Sequence, residues 1–133
     1  MQFINPPELA DSSHYGFSQA VIVPPDTTLV YIAGQGAGQR EDGTYSLSFS
    51  EQVDQVFSNL RTALAAVGAS PETVIKITVL SVDHTDEKLR IISAARNAFW
   101  PNQKPASTLI PVPRLATEGM LFEIDAVAAI PEP

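Results

Sequence analysis

Two stretches of this chain read as β-strands that are apolar on both faces. Across 120–130, Phe122, Ile124, Ala126, Ala128 and Ile130 share one face, while Leu121, Val127 and Ala129 share the other with Glu123 and Asp125. Across 74–82, Ile75, Ile77 and Val79 stand opposite Leu80 and Val82, which sit with Lys76 and Thr78. A period of two sends alternate side chains to opposite sides of a sheet. Only two segments carry the apolar spacing of amphipathic helices, and two helices cover one face. The second face should then be polar in a monomer, and it is not. The pattern predicts a homo-oligomer in which the sheets face inward.

The elements follow in the order β-β-(β)-α-β-α-β-β. Residues 1–17 read as irregular, broken by Pro6, Pro7 and Gly16, with a short strand at 2–4. Ser18 to Val23 and Leu29 to Ala33 flank Pro24-Pro25-Asp26 and read as an antiparallel hairpin. A turn at Glu41-Asp42-Gly43 precedes a short strand at Tyr45 to Leu47. Ser48 and Glu51 have capping-box spacing, and Val53, Val56, Phe57, Leu60, Leu64 and Val67 form a helical stripe that Gly68 ends. A second helix starts near Asp86, carries Leu89, Ile92, Ala95 and Phe99 on one face, and stops before Pro101. Strands at 108–112 and 120–130 close the chain. The elements read as a sheet with both helices on one face, in a single domain over 1–133.

Composition excludes several kinds of chemistry. Without cysteine there is no disulfide framework, thiol nucleophile or Cys-ligated zinc. His14 and His84 lie far apart and outside any HExxH-like spacing, which argues against zinc and Ser–His–Asp sites. Fifteen Asp plus Glu against eight Lys plus Arg leave a net charge of −7, the wrong sign for a nucleic-acid footprint. The first residues lack a signal-peptide layout, and no apolar run approaches about 18 residues. The expectation is a soluble, cytoplasmic protein with no membrane partner and no cofactor.

Gly34-Gln35-Gly36-Ala37-Gly38 invites comparison with a nucleotide loop. The dinucleotide fingerprint needs a glycine where Gln39 stands and a helix where an acidic turn follows, so the run reads as a strand-end turn. Its backbone N–H groups are still able to approach a small anion. Glu123 and Asp125 either meet solvent or a cationic rim, or Glu123 is partly buried at an interface and serves as a general base. Arg114, beside Pro113, reads as a rim salt bridge or as an anchor for a ligand carboxylate. Pro111 and Pro113 remove ladder donors from their strand. His14-Tyr15-Gly16-Phe17 reads as a loop packed on the sheet edge or closing a pocket.

These landmarks together resemble the RidA (YjgF-type) family, also known as L-PSP endoribonucleases. Ser18-Gln19-Ala20, Ala33-Gly34-Gln35, Leu60 to Gly68, Val74 to Val79, Asn97-Ala98-Phe99-Trp100, Pro105-Ala106 and Phe122 to Ala128 carry the resemblance over nearly the whole chain. It implies an α+β, chorismate-mutase-like subunit with a mostly antiparallel sheet, a homotrimer and ligand clefts between subunits. Family deaminases hydrolyse enamine and imine intermediates and hold the substrate carboxylate with an Arg directly after Pro-Ala. Here that position is Ser107. A hydroxyl does not replace a bidentate guanidinium. The family's loop Tyr falls on Phe17, its pocket Ser on Ala33, its helix Asn on Ser93 and its frequent Cys on Leu109. Gly34, Gln35 and Glu123 are retained.

The resemblance therefore implies an Arg-lacking branch in which typical deaminase activity is not expected. The leading reading is a trimeric protein with an interfacial pocket for a small, less anionic metabolite, where Glu123 activates water and Ser107 with the Gly34 backbone orients the ligand. A non-catalytic binding or regulatory module follows. Third is an imine deaminase in which Arg114, Arg40 or Lys104 replaces the missing charge. An endoribonuclease comes last, for want of phosphate-binding cations.

Overall fold

In the computed structural model, which describes residues 1–46 and 48–133, the elements are β1 (Gln2–Ile4), β2 (Ala20–Ile22), β3 (Thr27–Gly36), α1 (Phe49–Ala66), β4 (Val74–Val82), α2 (Asp86–Phe99), β5 (Ala106–Val112) and β6 (Phe122–Pro131). The first helix starts where its cap predicts, and both begin on a hydroxyl cap. The Ser48 hydroxyl accepts the Glu51 amide at 3.3 Å, and the Thr85 hydroxyl accepts the Lys88 amide at 3.1 Å. The Glu51 carboxylate takes the Ser46 hydroxyl instead, so the expected reciprocal cap is half made. Val53, Val56, Phe57, Leu60 and Leu64 of α1 are buried, whereas Val67 falls beyond the helix and is exposed. Gly68 then turns the chain at φ +73°.

The main sheet runs β3-β6-β4-β5, with β6 antiparallel to both neighbours and β4 parallel to β5. The parallel pair is bridged by α2, the long connection that such a pair demands. Both helices pack on one face, where Phe57, Phe99, Trp100 and Phe122 meet Ile77, Val79, Ile124 and Ala126. On the other face Tyr31 is 75% exposed, Leu29 46% and Ile110 44%. The uncovered apolar face expected from the sequence is therefore present in the protomer.

Four local expectations are corrected. The strands around Pro24-Pro25 form no hairpin with each other: β2 pairs with β1 and β3 pairs with β6. Two prolines have no amide hydrogen and fixed φ, so here they carry the chain from one sheet to the next. The glycine run does not end its strand at Gly34; β3 continues to Gly36 through a bulge between Ile32 and Gln35. In β4 a register shift between Val74 and Lys76 displaces Ile75, leaving Val74 rather than Ile75 buried with Ile77 and Val79. Of the short strand expected at 45–47, Tyr45 and Ser46 are irregular and Leu47 lies outside the described residues.

A buried amide ties α1 to the start of β6. Gln52 is fully buried, donates to the carbonyls of Ser46 at 2.6 Å and Gly119 at 2.8 Å, and accepts the Leu121 amide at 2.8 Å. A side chain of this kind on an apolar stripe is stable only with its partners in place. Replacing it with leucine orphans three backbone groups at once. Gln52→Leu is expected to lower unfolding free energy by about 2–4 kcal/mol, read from urea titrations with an unchanged slope.

Candidate functional site

The loop before β2 and the middle of α2 build one wall of a cleft. Ser12 donates its hydroxyl to the Phe17 carbonyl at 2.7 Å, Asn97 donates to the His14 carbonyl at 2.9 Å, and Ser18 donates its amide to Pro105 at 2.9 Å. Gly16 lets the loop cross α2 closely, at φ +87°; a Cβ there would stand 2.6 Å from Cβ of Arg96. These contacts fix Phe17 over the helix. Tyr15, Phe17, Leu89, Arg96, Ser107 and Leu109 then enclose an open cleft of about 260 Å³. A larger depression of about 510 Å³ adjoins it, with His14, Tyr15, Arg90, Ser93 and Asn97 on its walls.

Arg96 is the unusual member of this wall. It is 2% exposed, its Nη1 donates to the Ser107 hydroxyl at 3.0 Å, and its guanidinium carbon lies 5.4 Å from the centre of the Phe17 ring. Among the described residues its Nε has no hydrogen-bond partner, and neither does the buried Ser93 hydroxyl one turn earlier. Burial pulls the guanidinium down to about 10, with no acidic side chain among the causes.

Of the residues expected at the site, Phe17, Ser93, Ser107 and Leu109 line these two adjoining depressions. The remaining ones lie elsewhere. Glu123 in β6 pairs across from Leu80 and Gly36, and its carboxylate occupies the space a Gly34 side chain would need: a Cβ there would be 2.6 Å from Glu123 Oε2. Ala33 and Gln35 flank that glycine, the Gln35 amide donating to the Ala33 carbonyl at 3.0 Å. Ser107 and Leu109 pair with the core-facing Ile77 and Val79 and so look toward the helices, whereas Glu123 pairs with Leu80 and looks away. Ser107 and Leu109 stand on the edge strand β5 and Glu123 on the interior strand β6, two strands away and on the opposite face of the sheet.

None of the three cations expected as substitutes touches Ser107. Arg114 donates to the nearby carbonyls of Leu115 at 3.1 Å and Ala116 at 3.5 Å, Lys104 donates to the Trp100 carbonyl at 2.7 Å, and Arg40 lies exposed in the turn after β3. The cation at Ser107 is Arg96, which the sequence reading missed. Its signal was positional: Arg96 follows Leu89 and Ile92 at helical spacing, so a charge stood on the buried stripe. Among the described residues no cluster of three or more His, Asp or Glu is placed to hold a metal ion, and no helix is long and apolar enough to cross a membrane.

The endoribonuclease L-PSP family model matches residues 9–130. The chain belongs to this family. It is 36% identical over 104 residues to the RutC family protein YjgH of Escherichia coli, covering 78% of this chain and 77% of the relative. The RutC family protein PYRAB12510 of Pyrococcus abyssi is 29% identical over 113 residues, covering 84% of each. Among solved structures, the Rid family protein YyfB of Yersinia pestis superposes with a TM-score of 0.88 at 32% identity, over 97% of this chain and 98% of that one. The α+β fold is thus that of the Rid and L-PSP structures.

The tight crossing at Gly16 is open to test in this Rid-family chain. Gly16→Ala adds a methyl against Arg96 in a backbone region that disfavours side chains, and should cost about 1–3 kcal/mol. The loop at 10–18 is expected to become the earliest site of limited proteolysis, with wild type resistant there under the same conditions.

Proposed function

We propose that this chain is a Rid-type protein that assembles as a homotrimer and holds a small metabolite between subunits. The observation that carries this reading is the separation of the site residues in one protomer. Glu123 and the Gly34 backbone face away from the helices, whereas Ser107 and Phe17 face toward them at the far edge. They line one pocket only if they come from different copies, and the uncovered face with Tyr31 and Leu29 supplies the apolar surface for such a contact. The resemblance to family deaminases supports the same arrangement.

Glu123 is assigned the role of general base. Its carboxylate takes a proton from a water and directs the oxygen to an imine or amide-like carbon. The new C–O bond forms as the carbon's π bond opens to a tetrahedral adduct. Glu123 returns its proton to the nitrogen and takes the one on the new hydroxyl. As the carbonyl forms, the C–N bond breaks and the nitrogen leaves as ammonia or an amine with that second proton. The presence of Arg96 beside Ser107 favours a second reading, imine deamination with a cation supplied from α2. The two differ in substrate and share the catalytic group.

Assembly and catalysis are tested separately. Sedimentation at micromolar concentration should give a trimer, and Tyr31→Asp a monomer with unchanged far-ultraviolet dichroism; a monomeric wild type overturns the assembly. A dehydratase system that generates 2-iminobutanoate should release keto acid faster with the protein than in buffer if the imine reading holds. For any turnover found, Glu123→Gln should slow it by about 100-fold or more. An unchanged rate would leave a binding module without catalysis.

A further inference from the structure

The sheet face left bare by the helices carries charge in a particular arrangement. Among the residues of β3, β4, β5 and β6, Lys76, Glu123 and Asp125 are the charged ones. All three alternate with the buried Ile77, Ile124 and Ala126 and so look away from the helices. Glu123 has its place beside Gly34. Lys76 and Asp125 are diagonal neighbours, since Lys76 pairs with Val127 and Thr78 with Asp125. Opposite charges so placed are within reach of each other. Here they turn apart. The Lys76 ammonium crosses to β5 and donates to the Thr108 hydroxyl at 2.8 Å, while the Asp125 carboxylate accepts the Thr78 amide at 3.1 Å. The ammonium keeps two further donors and the carboxylate a second oxygen. Desolvation already holds Lys76 below its ordinary range, and the distant pull of Asp125 does not offset it.

A second copy seated on this face would seal both charges among Leu29, Tyr31, Leu80, Ile110 and Val127. A charge buried without a partner is strongly unfavourable. Each copy also carries a net charge of −7, so copies repel one another at long range. A face that attracts its own kind then needs both signs, set at different places. In a closed ring, one part of each copy meets a different part of the next. The cation belongs to the β4–β5 half of this face and the anion to the β3–β6 half. Between them Tyr31, Lys76, Thr78 and Asp125 border a depression of about 430 Å³, with room for a neighbour's side chains.

We propose that Lys76 of each copy pairs with Asp125 of the next, and that this pair makes the bare face selective for copies of its own chain. This rests on the assembly proposed above and adds its register and its choice of partner. A purely apolar patch accepts any apolar surface of similar shape. One that must bury an ammonium rejects every partner lacking a carboxylate at the matching point.

Charge reversal in the full chain tests the pair. Lys76→Asp or Asp125→Lys alone sets like charges together and should raise the dissociation constant of the assembly by about 100-fold or more in sedimentation equilibrium. The double variant Lys76→Asp/Asp125→Lys exchanges the signs and should return it to within about tenfold of wild type. An equal mixture of the two single variants should give mixed trimers in native mass spectrometry at concentrations where each alone is monomeric, because most junctions in such a ring join opposite charges. Should the reversals not fold, wild type decides: with nitrogen-15-labelled and unlabelled chains mixed, a carbodiimide should join Lys76 to Asp125 in peptides of mixed label. Single variants as tightly associated as wild type, or a double variant no better than the singles, overturn the pair. So does a cross-link that is absent or confined to one label. Recovery in the double variant without recovery in the mixture also overturns it, since the charges then meet within one copy. A monomeric wild type rejects the assembly itself, whereas a trimeric wild type unmoved by either reversal rejects the pair alone.

Discussion

The architecture depends on a sheet that has two apolar faces and helices for only one. Ile77, Val79, Phe122, Ile124 and Ala126 are sealed beneath α1 and α2, and each large aliphatic side chain so buried contributes roughly 1.5–3 kcal/mol. That covered face sets where the helices lie, and the helices in turn place Arg96 beneath the N-terminal loop. The opposite face has no such cover in one copy. Glu123, Asp125 and Lys76 are set among its apolar neighbours, with Asp125 accepting the Thr78 amide at 3.1 Å and Lys76 donating to Thr108 at 2.8 Å. Desolvation holds the Lys76 ammonium below its ordinary range, against the pull of Asp125. A face of this character is neither an ordinary solvent surface nor a dry core.

The residues of the cleft are positioned by backbone contacts more than by one another. The loop carrying Phe17 is fixed through Ser12, Asn97 and Ser18, each bonded to a main-chain carbonyl. Such bonds define the loop path without consuming the side chains that face the cleft. Arg96 and the Ser93 hydroxyl are accordingly left with spare donors. Preformed clefts whose polar groups are few and convergent are the usual setting for small-ligand recognition.

Much of this was legible in the amino-acid order. Both helices, the Ser48 cap and the two-faced character of β6 follow from periodicity and local capping, because these are local properties. Strand partners are not local. Nothing around Pro24-Pro25 distinguishes a hairpin from a chain passing between two sheets, and the bulges at Ile75 and at Ala33–Gly34 shift a period of two by one residue without an obvious mark. The site was half legible. Phe17, Ser93, Ser107 and Leu109 were singled out by position and line the two depressions. Glu123 lies on the other face of the sheet, and Arg96 was hidden inside a helical pattern read for its apolar residues. A charge or amide on a buried stripe, as at Arg96 and Gln52, is the feature to seek in such a helix.

The edges of the main sheet have a consequence for how copies of this chain meet. At β5, residue 106 is already bridged by Ser18, and Pro111 offers no amide hydrogen. At β3, the bulge between Ile32 and Gln35 interrupts the ladder, and the Gly36 carbonyl is taken by Asn59 at 2.9 Å. Neither edge offers the long unbroken row of donors and acceptors that templates a further strand. The proposed assembly would then use the broad faces, where contact between a few copies can close on itself. A sequence rich in β-branched and apolar residues would thereby be guarded against unlimited fibre growth.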